Sequence, residues 1–407
     1  VIPYGRQCID EADIAAVTAA LRADFLTTGP QVDAFEAELA AVTNARHAVV
    51  CSSATAALHI ASIAMDFQPG DYVIVPALTF LATANAPRLA GAEVWLADVD
   101  PDTGLLRPED LMQAIRESSK AWPDRRLRAV YPVHLNGQTC DMAVLATCLE
   151  KSGAALIEDA CHALGGLQYR ADEPGRGGLD LPVGAGFSSL MSIFSFHPVK
   201  TVAMGEGGAI CTNDPALAAR LARLRSHGMV RDPAQMEFHA QAFGPDEEPN
   251  PWYYEMPEIG LNYRAPDILC ALGRSQLAKL RQYVARRREL ADLYARLLQP
   301  LAPAVMPVAR VAHGLPAWHL SVALIDFASR GTHRAAVMRS LRAAGIGSQV
   351  HYMPLHMQPY YRRRYGERRL SGAETYYSRC LSLPLYFGLT EADVETVVEA
   401  LQAALGL

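Results

Sequence analysis

Between residues 47 and 212 the chain alternates short apolar, β-branched runs with longer stretches of helical period. The runs cover 47–52, 71–76, 92–98, 127–135, 154–159, 192–197 and 208–212. They are too short for buried helices, and several are nearly continuously apolar, as strands covered on both faces are. With helical segments between them they predict βαβ units and an α/β fold built on a mainly parallel seven-stranded sheet. Only a glycine-rich reversal at Gly205, Gly207 and Gly208 precedes the last run. A connection that short cannot make a parallel crossover, so this strand is expected to run antiparallel.

The flanks read differently. Asp10, with Asp13 three residues on, marks the capped start of a helix reaching Leu21, and Thr27-Thr28-Gly29-Pro30 separates it from a second helix over 32–43. Residues 170–189 and 233–251 lack periodicity and read as loops. The apolar spacing over 266–298 predicts one long helix bridging two domains. Beyond it a smaller α/β domain is expected, with a strand at 318–325, a helix at 332–344, an extended piece at 347–353 and a last helix capped by Thr390 and Asp393. The division is placed at 1–250 and 251–407.

At 407 residues, half of them hydrophobic, the chain has material for more than one core. A net charge of −6 spread along the sequence gives no footprint for nucleic acid. Eight cysteines form neither a Cys-x-x-Cys pair nor a zinc spacing, so no metal is expected and a reducing cytoplasm is the simplest setting. No stretch is long and apolar enough to span a bilayer, and no signal-peptide pattern opens the sequence.

Three features each follow a predicted strand, where open α/β sheets bind ligands. In Cys51-Ser52-Ser53-Ala54-Thr55-Ala56-Ala57, small residues open a helix whose N–H groups suit a phosphate, and the same pattern serves equally as a plain N-cap. Asp159 closes an apolar strand, where a buried carboxylate requires a cationic or donor partner; capping the next turn is the alternative use. Lys200 stands on a turn after Ser192 to His197, where its amine can be desolvated and aimed inward. Anchor, carboxylate and lysine in that order are the parts that pyridoxal 5'-phosphate requires.

The chain resembles the DegT/DnrJ/EryC1/StrS sugar aminotransferases, which share the fold-type-I architecture of pyridoxal-phosphate enzymes. The resemblance is carried by Ser53-Ala54-Thr55-Ala56-Ala57-Leu58-His59, Thr79-Phe80-Leu81-Ala82-Thr83-Ala84-Asn85, Glu158-Asp159-Ala160-Cys161-His162-Ala163, Phe194-Ser195-Phe196-His197-Pro198-Val199-Lys200, Gly205-Glu206-Gly207-Gly208 and Gly260-Leu261-Asn262-Tyr263-Arg264. It implies that Lys200 carries the cofactor as a Schiff base and moves the proton. Asp159 would hold the ring nitrogen's proton, with Ser195, Ala54 and Thr55 at the phosphate, Phe80 over one ring face and His162 beside the ring hydroxyl. Asn262 would reach the cofactor phosphate of a neighbouring subunit, which implies a homodimer with shared active sites. His197, His351 and Tyr352 are candidate substrate contacts.

The opening residues, the Ala271 to Leu277 helix and Val350-His351-Tyr352-Met353-Pro354-Leu355-His356 are similar to the branch that makes UDP-4-amino-4,6-dideoxy-N-acetyl-β-L-altrosamine, in pseudaminic acid type amino-sugar biosynthesis. L-Glutamate would then be the amine donor and a UDP-linked 4-keto sugar the acceptor. Other readings are a GDP- or dTDP-linked keto sugar, or a non-catalytic, regulatory cofactor-binding protein. A dehydratase branch carries histidine in place of the lysine, so Lys200 points to transamination. The chain departs from the family pattern at Cys161, at Ser189-Leu190 and at Ala203-Met204.

Overall fold

The computed structural model describes residues 1–168 and 181–407, so most of the loop read at 170–189 lies outside the described residues. The seven apolar runs form one sheet. Its strands are β1 (His47–Cys51), β2 (Asp71–Pro76), β3 (Glu93–Ala97), β4 (Arg126–Val130), β5 (Ala155–Asp159), β6 (Met191–Ser195) and β7 (Gly208–Thr212), side by side in the order β1-β7-β6-β5-β4-β2-β3. β7 runs antiparallel to both β1 and β6, as its short connection requires, while the other pairs are parallel. Every residue of β2 is buried, because helices cover both faces. α1 (Glu11–Leu21) and α2 (Pro30–Thr43) precede the sheet. The connections carry α3 (Ala54–Ala64), α4 (Leu81–Leu89), α5 (Pro108–Ala121) and α6 (Met142–Leu149), and α7 (Pro215–Arg225) follows β7.

Two sequence expectations change. The run over 127–135 is not all strand: β4 ends at Val130, Pro132 offers no N–H to the ladder, and a single parallel bridge joins Val133 to Asp159. Tyr131 and Leu135 remain apolar positions because they fill the core beyond the strand end. The helix expected over 266–298 is two helices, α8 (Asp267–Leu277) and α9 (Leu280–Leu298), broken where Lys279 takes φ −97° and ψ 1°. Neither Ala278 nor Lys279 is a helix breaker, so periodicity runs through the joint. The joint is tied down by tertiary contacts: the Lys279 ammonium pairs with Asp10 at 2.7 Å and with buried Asp13 at 2.9 Å. The predicted Asp10–Asp13 capping box is present.

In the smaller C-terminal part, β8 (Val305–Pro307), β9 (Ser321–Ile325) and β10 (Cys380–Leu383) form an antiparallel sheet in that order. α10 (Arg334–Ala343) and α13 (Glu391–Leu405) accompany it, and the capping box of Thr390 and Asp393 opens α13. The expected strand at 318–325 starts at Ser321, leaving Trp318 and His319 on the approach to it. α11 (Pro359–Tyr365), α12 (Ser371–Arg379) and β10 had no counterpart in the sequence reading. The 347–353 piece touches this sheet through one bridge, Gln349 to Ser382. Ile2 at the start of the chain bridges Ile346, which brings Tyr4 beside that piece. The packing therefore lays residues 349–352 over the carboxyl ends of the large sheet.

Candidate active site

A cavity of about 570 Å³ opens at those carboxyl ends. Its first wall is the turn from β1 into α3. Ser53 caps α3 by accepting from Ala56 N–H at 3.1 Å, and the N–H groups of Ala54 and Thr55, also in the first turn, have no acceptor inside the helix. Gly208, the first residue of β7, lies so close that a Cβ there would sit 2.3 Å from Ala54 N and 2.3 Å from Ser53 C. Glycine at 208 thus lets the helix start seat against the sheet. Gly208→Ala is expected to cost about 1–3 kcal/mol through overpacking and to displace the Ala54–Thr55 donors. A lowered melting temperature with weakened pyridoxal-phosphate binding would be the observed pair; an unchanged affinity would show that this turn does not hold the anion.

The second wall is the end of β5. Successive strand residues point to opposite faces, so Glu158 and Asp159 part company. Glu158 turns away, meets His134 Nε2 at 2.9 Å and accepts from the Ser189 hydroxyl. Burial alone would lower the proton affinity of His134; the bonds to Cys140 and Glu158 and the charge of Glu158 instead raise its pKa to about 10. Asp159 faces the cavity and is 6% exposed. One of its oxygens accepts from the Thr83 hydroxyl at 2.6 Å, which sits 2.8 Å from the Thr79 hydroxyl, and the other accepts from Cys161 N–H at 3.2 Å. The described residues give this carboxylate two neutral donors and no bonded cation.

Lys200 enters from the turn after β6, held by its N–H to His197 O at 2.8 Å. Burial lowers its ammonium pKa, only partly offset by the charge of Asp159, and Arg287 lowers it further. The amine therefore reaches its free form at lower pH than an exposed lysine. Its Nζ lies 3.5 Å from Nε2 of His319. The His319 ring packs on that of His162, centroids 4.4 Å apart, and His162 Nε2 lies 3.2 Å from the Tyr352 hydroxyl. His351 completes the group, its Nδ1 2.7 Å from Ser382 Oγ. Burial first, and then the positive charge of Lys200, drive His162 and His319 well below the usual imidazole range and His351 to about 3. All three imidazoles are neutral near pH 7.

The cavity gathers most of the residues singled out by sequence. Ala54, Thr55 and Ser195 lie on its wall, as do Asp159, His162 and Lys200. Phe80, 54% exposed, sits near the mouth with His197, and His351 and Tyr352 form the opposite side. Asn262 is not brought in: it is exposed and bridges Ser226. Thr83 and His319 were missed. His319 stands in Ala317-Trp318-His319-Leu320, where a histidine leading into an apolar strand was the only signal. Thr83 stands in the first turn of α4 and Thr79 just ahead of that helix, where their hydroxyls meet at 2.8 Å beside Asp159.

The chain matches the DegT/DnrJ/EryC1/StrS aminotransferase family over residues 7–402. It belongs to that family. Among solved structures it is similar to Helicobacter pylori PseC, an aminotransferase involved in the biosynthesis of pseudoaminic acid, with 27% identity, a TM-score of 0.85, and 100% of this chain and 99% of that one covered. A putative sugar aminotransferase from Streptococcus pneumoniae, Spr1654 in its PMP form, gives 25% identity and a TM-score of 0.85, with 100% and 99% covered. DesI, solved in the presence of its TDP-sugar product, gives 30% identity and a TM-score of 0.81, with 99% and 93% covered. This DegT-family chain is a pyridoxal-phosphate-dependent sugar aminotransferase with a fold-type-I architecture. The cavity fits the cofactor: unused helix N–H groups suit its phosphate, the Asp159 carboxylate has no bonded cation among the described residues, and a partly desolvated lysine lines the same cavity.

Among the described residues no helix is long and apolar enough to cross a membrane, and all eight cysteines are free.

Proposed function

We propose that this enzyme moves the amine of L-glutamate to the 4-keto carbon of a UDP-linked 4-keto-6-deoxy-N-acetylhexosamine. The full-length similarity to PseC carries the reading of the sugar. Bound pyridoxal phosphate supplies the electron sink that lets an amine leave one carbon and join another. In this reading Lys200 Nζ would hold the cofactor, and the same amine would carry a proton between the two carbons. Asp159 balances the ring nitrogen's positive charge, and Thr83 and Cys161 N–H fix its two oxygens so that neither can turn away. Ser195 with the Ala54 and Thr55 N–H groups holds the phosphate, and Phe80 covers one face of the ring.

His162 sits beside the ring hydroxyl in this reading, steered by Tyr352. Neutral His319 and His351 offer hydrogen bonds to sugar hydroxyls without repelling a protonated amine, and His197 at the mouth is a further sugar contact. Asn262, exposed and outside its own cavity, is assigned to the cofactor phosphate of a second copy in a homodimer.

The purified enzyme, loaded with cofactor, is expected to aminate the UDP-linked 4-keto sugar with glutamate, read as the amine-for-oxo mass change. DesI stands in for the second reading, a TDP-linked keto sugar. If the dTDP-linked ketone is aminated and the UDP-linked one is not, the second reading replaces the first.

A further inference from the structure

Arg287, on α9, is 3% exposed, and no carboxylate pairs with it among the described residues. One of its terminal nitrogens donates to two backbone carbonyls, His319 O at 3.3 Å and Leu385 O at 2.9 Å, while its Nε finds no acceptor among the described residues. A buried guanidinium without a counter-charge is costly, and removing its charge would relieve that cost. Its place explains the expense. Arg287 and Lys200 line the same small internal space behind the lysine, beside Thr201 and Gln276. The carbonyl it grips belongs to His319, whose ring is in contact with the Lys200 amine.

We propose that Arg287 is a positioning residue for Lys200: lodged behind the lysine without a counter-charge, it grips the His319 carbonyl and so aims the imidazole at Nζ, and its own cation disfavours a second one on the amine. Four groups facing Lys200 work with or against it. Asp159 favours the ammonium, as Cys161 would only if its thiol ionised, and protonation of His162 or His319 would oppose it. Glu206, His351, Tyr352 and Tyr4 face the same cavity from the glycine turn, the 349–352 piece and the chain start. Near neutral pH the three histidines are uncharged; of the groups lining the space behind Lys200, Cys8 and Tyr283 are neutral there, Arg6 is exposed to solvent, and Arg287 is the buried cation. The proposal rests on Lys200 being the lysine that carries the cofactor, and is independent of which sugar is used.

The test is kinetic acetylation of Lys200 in the full chain stripped of cofactor, with acetic anhydride across a range of pH and peptide mass spectrometry as the readout. Arg287→Gln keeps an N–H for the carbonyls and removes the charge; it is expected to raise the Lys200 midpoint by about one pH unit. Arg287→Lys keeps the charge and is expected to leave the midpoint near that of the parent. An unchanged midpoint in folded R287Q overturns the proposal, as does an equal upward shift in both variants. If only R287K folds, an unshifted midpoint supports the proposal and a raised one overturns it. If neither folds, Arg287 is structural and the proposal falls. A parent midpoint at the ordinary lysine value would instead remove the depressed amine on which the Lys200 assignment leans, so the two failures are told apart.

Discussion

Lys200→Ala is expected to abolish borohydride-trapped attachment of pyridoxal phosphate and to cut turnover by about 10³-fold or more, since both the tether and the proton carrier are lost. The reason lies in what surrounds the amine. Among the described residues its one side-chain hydrogen-bond partner is His319 at 3.5 Å, and its burial penalises the charged form. A lysine so placed contributes little to folding, so the melting temperature of cofactor-free K200A should match or exceed that of the parent. Lys200→Arg cannot recover activity, because the guanidinium stays protonated and offers no nucleophilic amine. A variant that keeps a tenth of the parent rate would show that another group carries the proton. The mass of the reduced, cofactor-labelled peptide gives an independent reading that needs no substrate.

The parts of this site that follow strands were legible in the sequence, because strand, turn and helix start recur within a few residues. Asp159 could be read from the end of an apolar run, and Ala54 and Thr55 from a small-residue helix start. His319 could not, since it approaches the site from the small C-terminal sheet, more than a hundred residues after Lys200 in the chain. Its placement depends on Arg287 of α9 reaching the His319 carbonyl, a contact that the apolar spacing of that helix does not announce. Tyr4 is similar: it reaches the cavity because Ile2 bridges Ile346, a pairing that neither segment announces. The joint at Lys279 was hidden for the same reason, because its cause is the distant Asp10–Asp13 cap rather than a glycine or proline. Pro132 by contrast was in plain view, and it marks where the run over 127–135 leaves the ladder.

Glu158 and Asp159 adjoin in sequence, and the two faces of β5 give them separate work. That separation makes Asp159→Asn a clean experiment. The amide keeps the shape and can still accept from Thr83, and the Glu158–His134 pair on the other face is untouched. What disappears is a negative charge held by two neutral donors at a buried position, where charge acts through little water. Turnover is expected to fall by about 10²–10⁴-fold, with cofactor lost more readily on gel filtration. The cofactor-free chain should move the other way: relieving a buried, unpaired carboxylate is expected to leave its melting temperature unchanged or raise it. Falling activity together with falling stability would mean that Asp159 is needed first for the fold, through Thr83 and the Cys161 turn. Activity lost while stability is kept would assign the carboxylate to the cofactor ring, and excess pyridoxal phosphate should then restore occupancy without restoring the rate.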